Sequence, residues 1–249
     1  MARPPRRLAP SRTFAQHLII MAKRPVAGAV KRRLARGIGD VAALRFYRTT
    51  LTHTVVRLAA DARWRTYLAV TPDSAVTAPC WPAVRYLTRV PQGEGDLGAR
   101  MQALFDRLPP GPAIIVGSDI PAIRPAHVAQ AFQLLGRADA VFGPAQDGGY
   151  WLVGLKKSVR QLFPFTDVPW STDRTLAATR ANLPGRIVAY APTLSDVDTA
   201  QDYRQERVRA ERLIERSDLR SRSTTSSTAA TSRASSMSPA SSMRETDDF

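Results

Sequence analysis

The chain has 249 residues, 44% of them hydrophobic, with 36 Lys and Arg against 21 Asp and Glu for a formal charge of +15. That length and apolar content suffice for one large α/β domain with a real core. No apolar stretch approaches the ~20 residues a membrane-spanning helix needs, no secretory apolar region follows the first arginines, and a single cysteine, Cys80, excludes an internal disulfide framework or a cysteine metal site.

These features predict a soluble, cytoplasmic protein. The positive charge is also local: residues 1–48 hold twelve Lys and Arg and one acidic residue, Asp40. Arg3, Arg6, Arg7 and Arg12 stand among prolines and predict a solvated, disordered arm over 1–13. Phosphate neutralisation by such an arm is one use of it, but no aromatic interleaving or recognition motif accompanies it, which argues against a nucleic-acid partner.

In chain order, Phe14 to Met21 is an apolar run that reads as a strand, followed by a basic loop and turn. Leu44, Tyr47, Leu51, Val55 and Leu58 have helical spacing within Asp40 to Ala60, with Asp40 as N-cap. Thr66–Val70 and Val84–Leu87 read as strands separated by a Pro-bearing loop, and Leu97 to Leu108 as a helix. Ala113–Val116 is a strand, and Pro125 suits the first position of a helix reaching about Gly136. Strands at Asp139–Phe142 and from Tyr150 to Val153, a helix around Asp173 to Asn182, a strand at Ile187–Tyr190 and a charged helix from Thr199 to about Arg216 follow. From Ser217 the chain is Ser, Thr, Ala and Arg with almost no large apolar residues, a composition that cannot bury enough surface to order itself. Alternating strands and helices predict a layered α/β sheet over residues 14–216, flanked by the arm and a tail at 217–249.

Four constellations carry candidate chemistry. The loop Met21 to Leu34 offers Lys23, Lys31 and Arg33 as cations and Gly28 for close backbone approach, a suitable phosphate cradle. It lacks the Gly-Lys-Ser/Thr of the P-loop, and a solvated basic loop is the competing reading. Gly95-Asp96-Leu97-Gly98-Ala99-Arg100 runs glycines into a helix whose free amides attract an anion or a base edge; Asp96 serves equally as an N-cap. Ser118-Asp119 ends a strand at the sheet edge where open α/β sheets bind ligands. A later turn, Asp196-Val197-Asp198-Thr199, offers a second carboxylate, so the fold can bring separated acids onto one Mg²⁺ or Mn²⁺, with phosphate oxygens completing the shell. Asp198 is preferred over Asp196, and capping remains the alternative for each. Fourth, Asp147-Gly148-Gly149-Tyr150, with Trp170 downstream, pairs glycines with a polar residue that can bind an acceptor or act as a base, although such glycines also mark plain tight turns.

His17, His53 and His127 stand singly, and Ser118 lacks the surroundings of a hydrolase nucleophile. Taken together, Lys23-x-Pro, Val30-Lys31-x-Arg33-Leu34, Gly95-Asp96-Leu97-Gly98-x-Arg100, Gly117-Ser118-Asp119-x-Pro121, Asp147-Gly148-Gly149-Tyr150 and Asp196-x-Asp198-Thr199 resemble a bacterial family of GT-A-like transferases, over roughly residues 16–207. Its members are labelled glycosyltransferases of unknown substrate, and the wider group is similar to phospholactate guanylyltransferase and molybdenum-cofactor guanylyltransferases. The resemblance implies a single GT-A-like domain with a mixed, mostly parallel sheet flanked by helices. It also implies nucleotide phosphates at Lys31 and Arg33, and metal at Asp119 and Asp198. One departure is Arg32, where relatives carry threonine between the lysine and arginine.

The expected function is therefore transfer from a nucleotide-activated donor, with Asp119, Lys31 and Asp147 as catalytic residues. Lys23, Gly28, Lys31, Arg33, Gly95, Asp96, Gly98, Arg100 and Ser118 are the expected nucleotide site. Asp147, Gly148, Gly149, Tyr150 and Trp170 are the expected small-molecule acceptor site. Glycosyl transfer from a nucleotide sugar is the first reading. Nucleotidyl transfer from an NTP with release of pyrophosphate, and a non-catalytic nucleotide- or nucleic-acid-binding module, are the alternatives.

Overall fold

The computed structural model describes residues 15–85, 87–156 and 162–209; the proposed arm at 1–13 and tail at 217–249 lie outside these. One unit, ending at Ala200, contains the seven strands found among the described residues, and a second begins at Gln201, of which residues 201–209 are described and helical. The strands are β1 (His17–Lys23), β2 (Arg65–Thr71), β3 (Thr88–Pro91), β4 (Pro112–Gly117), β5 (Ala140–Pro144), β6 (Tyr150–Lys156) and β7 (Val188–Tyr190). They form a single sheet in the order β3-β2-β1-β4-β6-β5-β7. β6 runs antiparallel to both β4 and β5, and the other pairings are parallel. This is the layered α/β sheet that the alternating sequence predicts, and the mixed, mostly parallel one that the resemblance implies.

Period-two alternation explains how the sheet is covered. Leu18, Ile20 and Ala22 of β1, with Ile114 and Val116 of β4, face α2 (Asp40–Ala59) and α4 (Pro125–Leu135), where they meet Leu51, Val55, Leu58, Val128 and Phe132. Ile19, Ala113 and Ile115 face the opposite layer, packing with Met101, Leu104 and Phe105 of α3 (Leu97–Arg107). Central strands buried on both faces need apolar residues at nearly every position, and β4 has them. Each fully buried Leu, Ile or Phe contributes about 1.5–3 kcal/mol of transfer free energy, so these two layers fix the sheet and hence the edge where its turns converge.

Several local expectations shift. Gly39 rather than Asp40 is the N-cap of α2, and Asp40 lies in the first turn, where its charge still favours the helix dipole. The strand expected at 84–87 is displaced to Thr88–Pro91, because that segment reaches register with β2, pairing Tyr67 with Thr88 and Val70 with Pro91. A proline is tolerated there because β3 is an edge strand. The basic turn after β1 contains a helix, α1 (Arg32–Ile38), that lacks a Ser, Thr, Asp or Asn cap and buries Leu34 alone. The helix expected from about Asp173 is α5 (Thr175–Ala181).

Candidate active site

The strand order reverses between β1 and β4: from β1 the chain moves outward to β2 and β3, then returns to pair β4 on the other side of β1. Ligands bind at such switch points, outside the carboxyl ends of the strands. Here Met21 pairs with Gly117, and the next two residues of the chain are Ser118 and Asp119. A Cβ added at Gly117 would stand 3.3 Å from the Asp119 carboxylate, so glycine leaves that carboxylate room over the strand end.

Lys31 arrives from the neighbouring loop. Its backbone is left-handed, with φ 47° and ψ 45°, at the N-cap of α1. For a non-glycine residue this costs on the order of 1–2 kcal/mol, and the side chain shows what offsets it. The Lys31 ammonium is 2.8 Å from Asp119 Oδ2 and 2.7 Å from Asp198 Oδ1. The lysine side chain is only 4% exposed, whereas the two carboxylates are about one-third open to solvent. Burial alone would lower the lysine pKa; Asp119 and then Asp198 outweigh it and raise the pKa above its usual value. Two carboxylates more than 70 residues apart thus converge on one cation.

Arg33 takes a different course: its side chain is 70% exposed and reaches Asp198 Oδ2 at 3.9 Å. Asp196, two residues before Asp198, is half-buried. Burial first, then the charges of Asp198, Asp119 and Asp147, push its carboxyl up to about 6, against the opposing pull of Lys31.

Two pockets meet at Asp119. The first, about 310 Å³, is lined by Lys23, Lys31, Arg100 and Ser118 together with Tyr47 and Gln92. Its polar wall is prearranged. The Tyr47 hydroxyl is 2.9 Å from the Lys23 carbonyl and 3.3 Å from Ser118 Oγ, and burial raises its pKa despite those hydrogen bonds. The Gln92 amide donates to the Ala22 and Ala69 carbonyls at 3.2 and 2.9 Å, and its oxygen accepts from Arg100 at 3.1 Å. Gln92 therefore fixes the Arg100 guanidinium at the pocket wall. Tyr47 was legible only as a core position and Gln92 only as the start of a glycine-rich stretch; neither had a sequence signal for the site.

The second pocket, about 210 Å³, is lined by Asp119, Asp147, Asp196, Gly149, Tyr150, Trp151 and Trp170, among others. Asp147 Oδ1 accepts from the Gly149 amide at 3.0 Å, which shapes the turn. Gly148 has φ 84°, and any side chain there would strike the Asp173 backbone, so this glycine serves close approach of the turn to the α5 start. The Leu176 amide closes the contact by donating to the Gly148 carbonyl at 3.0 Å.

The first turn of α3 separates the pockets, with Leu97 lining both. Asp96 is its N-cap, accepting from the Ala99 amide at 2.7 Å, and its other oxygen accepts from the Trp170 indole at 3.3 Å. Gly98 is occupied by packing: a Cβ there would meet Trp170 and the Phe165 backbone below 3.0 Å. Gly95, with φ 90°, lets the chain turn into α3, and Gly28, with φ 72°, faces open space in the loop before Lys31. Of the expected nucleotide residues, Lys23, Lys31, Arg100 and Ser118 line the first pocket; of the expected acceptor residues, Asp147, Gly149, Tyr150 and Trp170 line the second.

Among the described residues, no three His, Cys, Asp or Glu side chains are grouped to hold a metal ion. The carboxylates that could hold an ion here are the pair Asp119 and Asp198. The pair fits a hard cation that takes one or two carboxylates and fills its shell with phosphate and water oxygens, because both carboxylates already surround one positive centre.

A family described as "Uncharacterized protein conserved in bacteria (DUF2064)" matches residues 54–172, a segment that includes Asp119 and Asp147 but neither Lys31 nor Asp198. No curated protein matches the chain. Among solved structures, the chain is similar to a putative nucleotide-diphospho-sugar transferase from Desulfovibrio desulfuricans G20, with 27% identity, TM-score 0.66, and coverage of 75% of this chain and 84% of that one. It shares the fold of a nucleotidyl transferase from Methanothermobacter thermautotroptrophicus (13% identity, TM-score 0.52, 80% and 99% covered). The fold is also that of CMP:2-keto-3-deoxy-manno-octonic acid synthetase in complex with CTP (14% identity, TM-score 0.50, 81% and 100% covered). The architecture is therefore that of the nucleotide-diphospho-sugar transferases.

Proposed function

We propose that the protein transfers a glycosyl group from a nucleotide sugar to a small-molecule acceptor, releasing a nucleoside diphosphate. The observation that carries this reading is the buried Lys31 ammonium, held by Asp198 and by Asp119, whose side chain stands at the junction of two pockets. Such a junction is where a donor diphosphate in one pocket would adjoin an acceptor in the other. The likeness to the Desulfovibrio protein, named for a nucleotide-diphospho-sugar donor, supports the same donor class.

In this mechanism Lys31 and Arg100 bind phosphate oxygens, and Tyr47 and Ser118 order the pocket around them. Asp119 and Asp198 would hold Mg²⁺ or Mn²⁺, which when bound neutralises diphosphate charge. Asp147 accepts the proton from the acceptor hydroxyl as its oxygen bonds to the anomeric carbon. The bond from that carbon to the phosphate oxygen breaks, and its electron pair leaves with the diphosphate. Lys31 stays charged throughout, because its pKa is raised.

A second reading, nucleotidyl transfer with pyrophosphate release, is favoured by the late Asp196-x-Asp198-Thr199 turn, whose Asp198 meets Lys31. One assay separates the two. A thermal-shift screen of NTPs and nucleotide sugars with Mg²⁺ or Mn²⁺, followed by phosphorus NMR of the products, should show nucleoside diphosphate from a nucleotide sugar. Pyrophosphate from an NTP would establish the second reading instead. Stabilisation by nucleotides with no turnover of any donor would establish the non-catalytic binding module. Among the described residues no helix is long and apolar enough to cross a membrane; we place the reaction in the cytoplasm.

A further inference from the structure

We infer that the second pocket takes an uncharged, hydroxyl-bearing acceptor of monosaccharide size and rejects phosphorylated ones. The inference rests on the transferase reading for the word acceptor, but on the pocket alone for its chemistry.

Three carboxylates, Asp119, Asp147 and Asp196, line this pocket, and among the described residues no Lys, Arg or His does. Lys31 lines the other pocket and already contacts Asp119 and Asp198. A phosphate ester entering here would face Asp147 and Asp196, with Asp119 already compensated by Lys31, and like charges close together are repulsive and costly to desolvate. A hydroxyl is suited to the same wall, because an ionised carboxylate is a pure acceptor that takes O–H donors.

Part of the remaining wall is aromatic. Tyr150 and Trp170 line the cavity beside the carboxylates, and Trp170 is held in place by its indole bond to Asp96 and by packing on Gly98. Aromatic faces beside hydrogen-bond acceptors suit a ring that has apolar C–H faces and a polar rim. At about 210 Å³ the cavity lies below the range usual for drug-sized ligands and has room for a small one. The first pocket has the opposite make-up, with Lys23, Lys31 and Arg100 on its lining, so the phosphates of a donor have their own place.

The test uses the full chain in buffer without divalent ions, with glucose, galactose, mannose and ribose each set against its monophosphate. Binding is read by tryptophan fluorescence and saturation-transfer NMR. At least one free sugar should bind with a signal that Trp170→Phe abolishes, and its phosphate should bind about tenfold more weakly or worse. Asp147→Lys, on an exposed turn, should shrink or reverse that preference and serves as a second variant should Trp170→Phe fail to fold. The inference is overturned if a phosphate binds as well as its free sugar, if no free sugar gives a Trp170-dependent signal, or if Asp147→Lys leaves the preference unchanged. Nucleotide thermal shifts on the same protein report separately on the first pocket, so loss of the transferase reading and loss of this inference are distinguishable.

Discussion

The two pockets on either side of Asp119 are built from the same sheet edge yet carry opposite charge. The one under β1 and β2 is lined by Lys23, Lys31 and Arg100, and the one under β5 and β6 by Asp147 and Asp196, with Asp119 lining both. Their difference comes from which loops the strand order delivers to each side. The β1 loop brings cations, whereas the antiparallel β6 places the turn before it, rather than the turn after it, at the site. A single reversed strand thus gives the second half of the edge its own chemistry. Fields of opposite sign a short distance apart sort a charged donor from a neutral acceptor before any base or sugar is read.

The largest expected effect breaks the comparison at its shared member. Asp119→Asn should lower turnover by about 10²–10³, the scale for losing one preorganised electrostatic group, with circular dichroism unchanged; near-normal turnover would remove Asp119 from the chemistry. Lys31→Met should act chiefly on the cationic side. It should raise the nucleotide dissociation constant and, by removing the cation that Asp119 and Asp198 share, cost about 1–2 kcal/mol of stability after discounting for their partial exposure. Adding Asp198→Asn to Lys31→Met should recover part of that loss in a double-mutant cycle.

The same pair makes a pH prediction. Because the folded lysine pKa is raised, its stabilisation is full below the unfolded lysine value of about 10.5 and is lost as pH rises through the higher folded value. The melting-temperature gap between wild type and Lys31→Met should hold steady from pH 7 to about pH 10 and narrow above it.

Asp96→Ala tests the partition itself. Losing the α3 cap should cost about 1 kcal/mol, and releasing Trp170 should weaken acceptor-side binding alongside nucleotide binding; an effect on stability alone would reduce Asp96 to a cap. Arg33→Ala should be smallest, within about 0.5 kcal/mol in stability, because its side chain is 70% exposed and its pair with Asp198 is long. A tenfold loss of nucleotide affinity in that variant would return Arg33 to the phosphate site.

Much of the sheet was legible because its signals are local. β4 reads as a strand from an unbroken apolar run, α3 from an N-cap and apolar spacing, and α4 from a proline at its first position. α1 was not legible: it has seven residues, four of them basic or glycine, no polar cap, and starts from a left-handed lysine that sequence patterns assign to glycine. β3 was displaced because its position is set by pairing with β2, a tertiary contact that no feature of Val84–Leu87 opposes. In the site, Asp119, Asp147 and Lys31 could be singled out by residue type and neighbours, but Tyr47 and Gln92 could not, since a buried Tyr on a helix and a Gln after an edge strand resemble many others.

By itself the sequence determined the layered α/β class, the order of most elements and the separate acidic and basic turns that make a polyphosphate ligand reasonable. Those follow from periodicity, capping and charge, which act over a few residues. The tertiary structure decided that Lys31 is buried between Asp119 and Asp198, that Arg33 is turned outward, and that cations and carboxylates occupy different sides of one aspartate. These depend on strand order and on contacts spanning up to 167 residues, and pairing at that separation is fixed by how the core packs rather than by any local pattern.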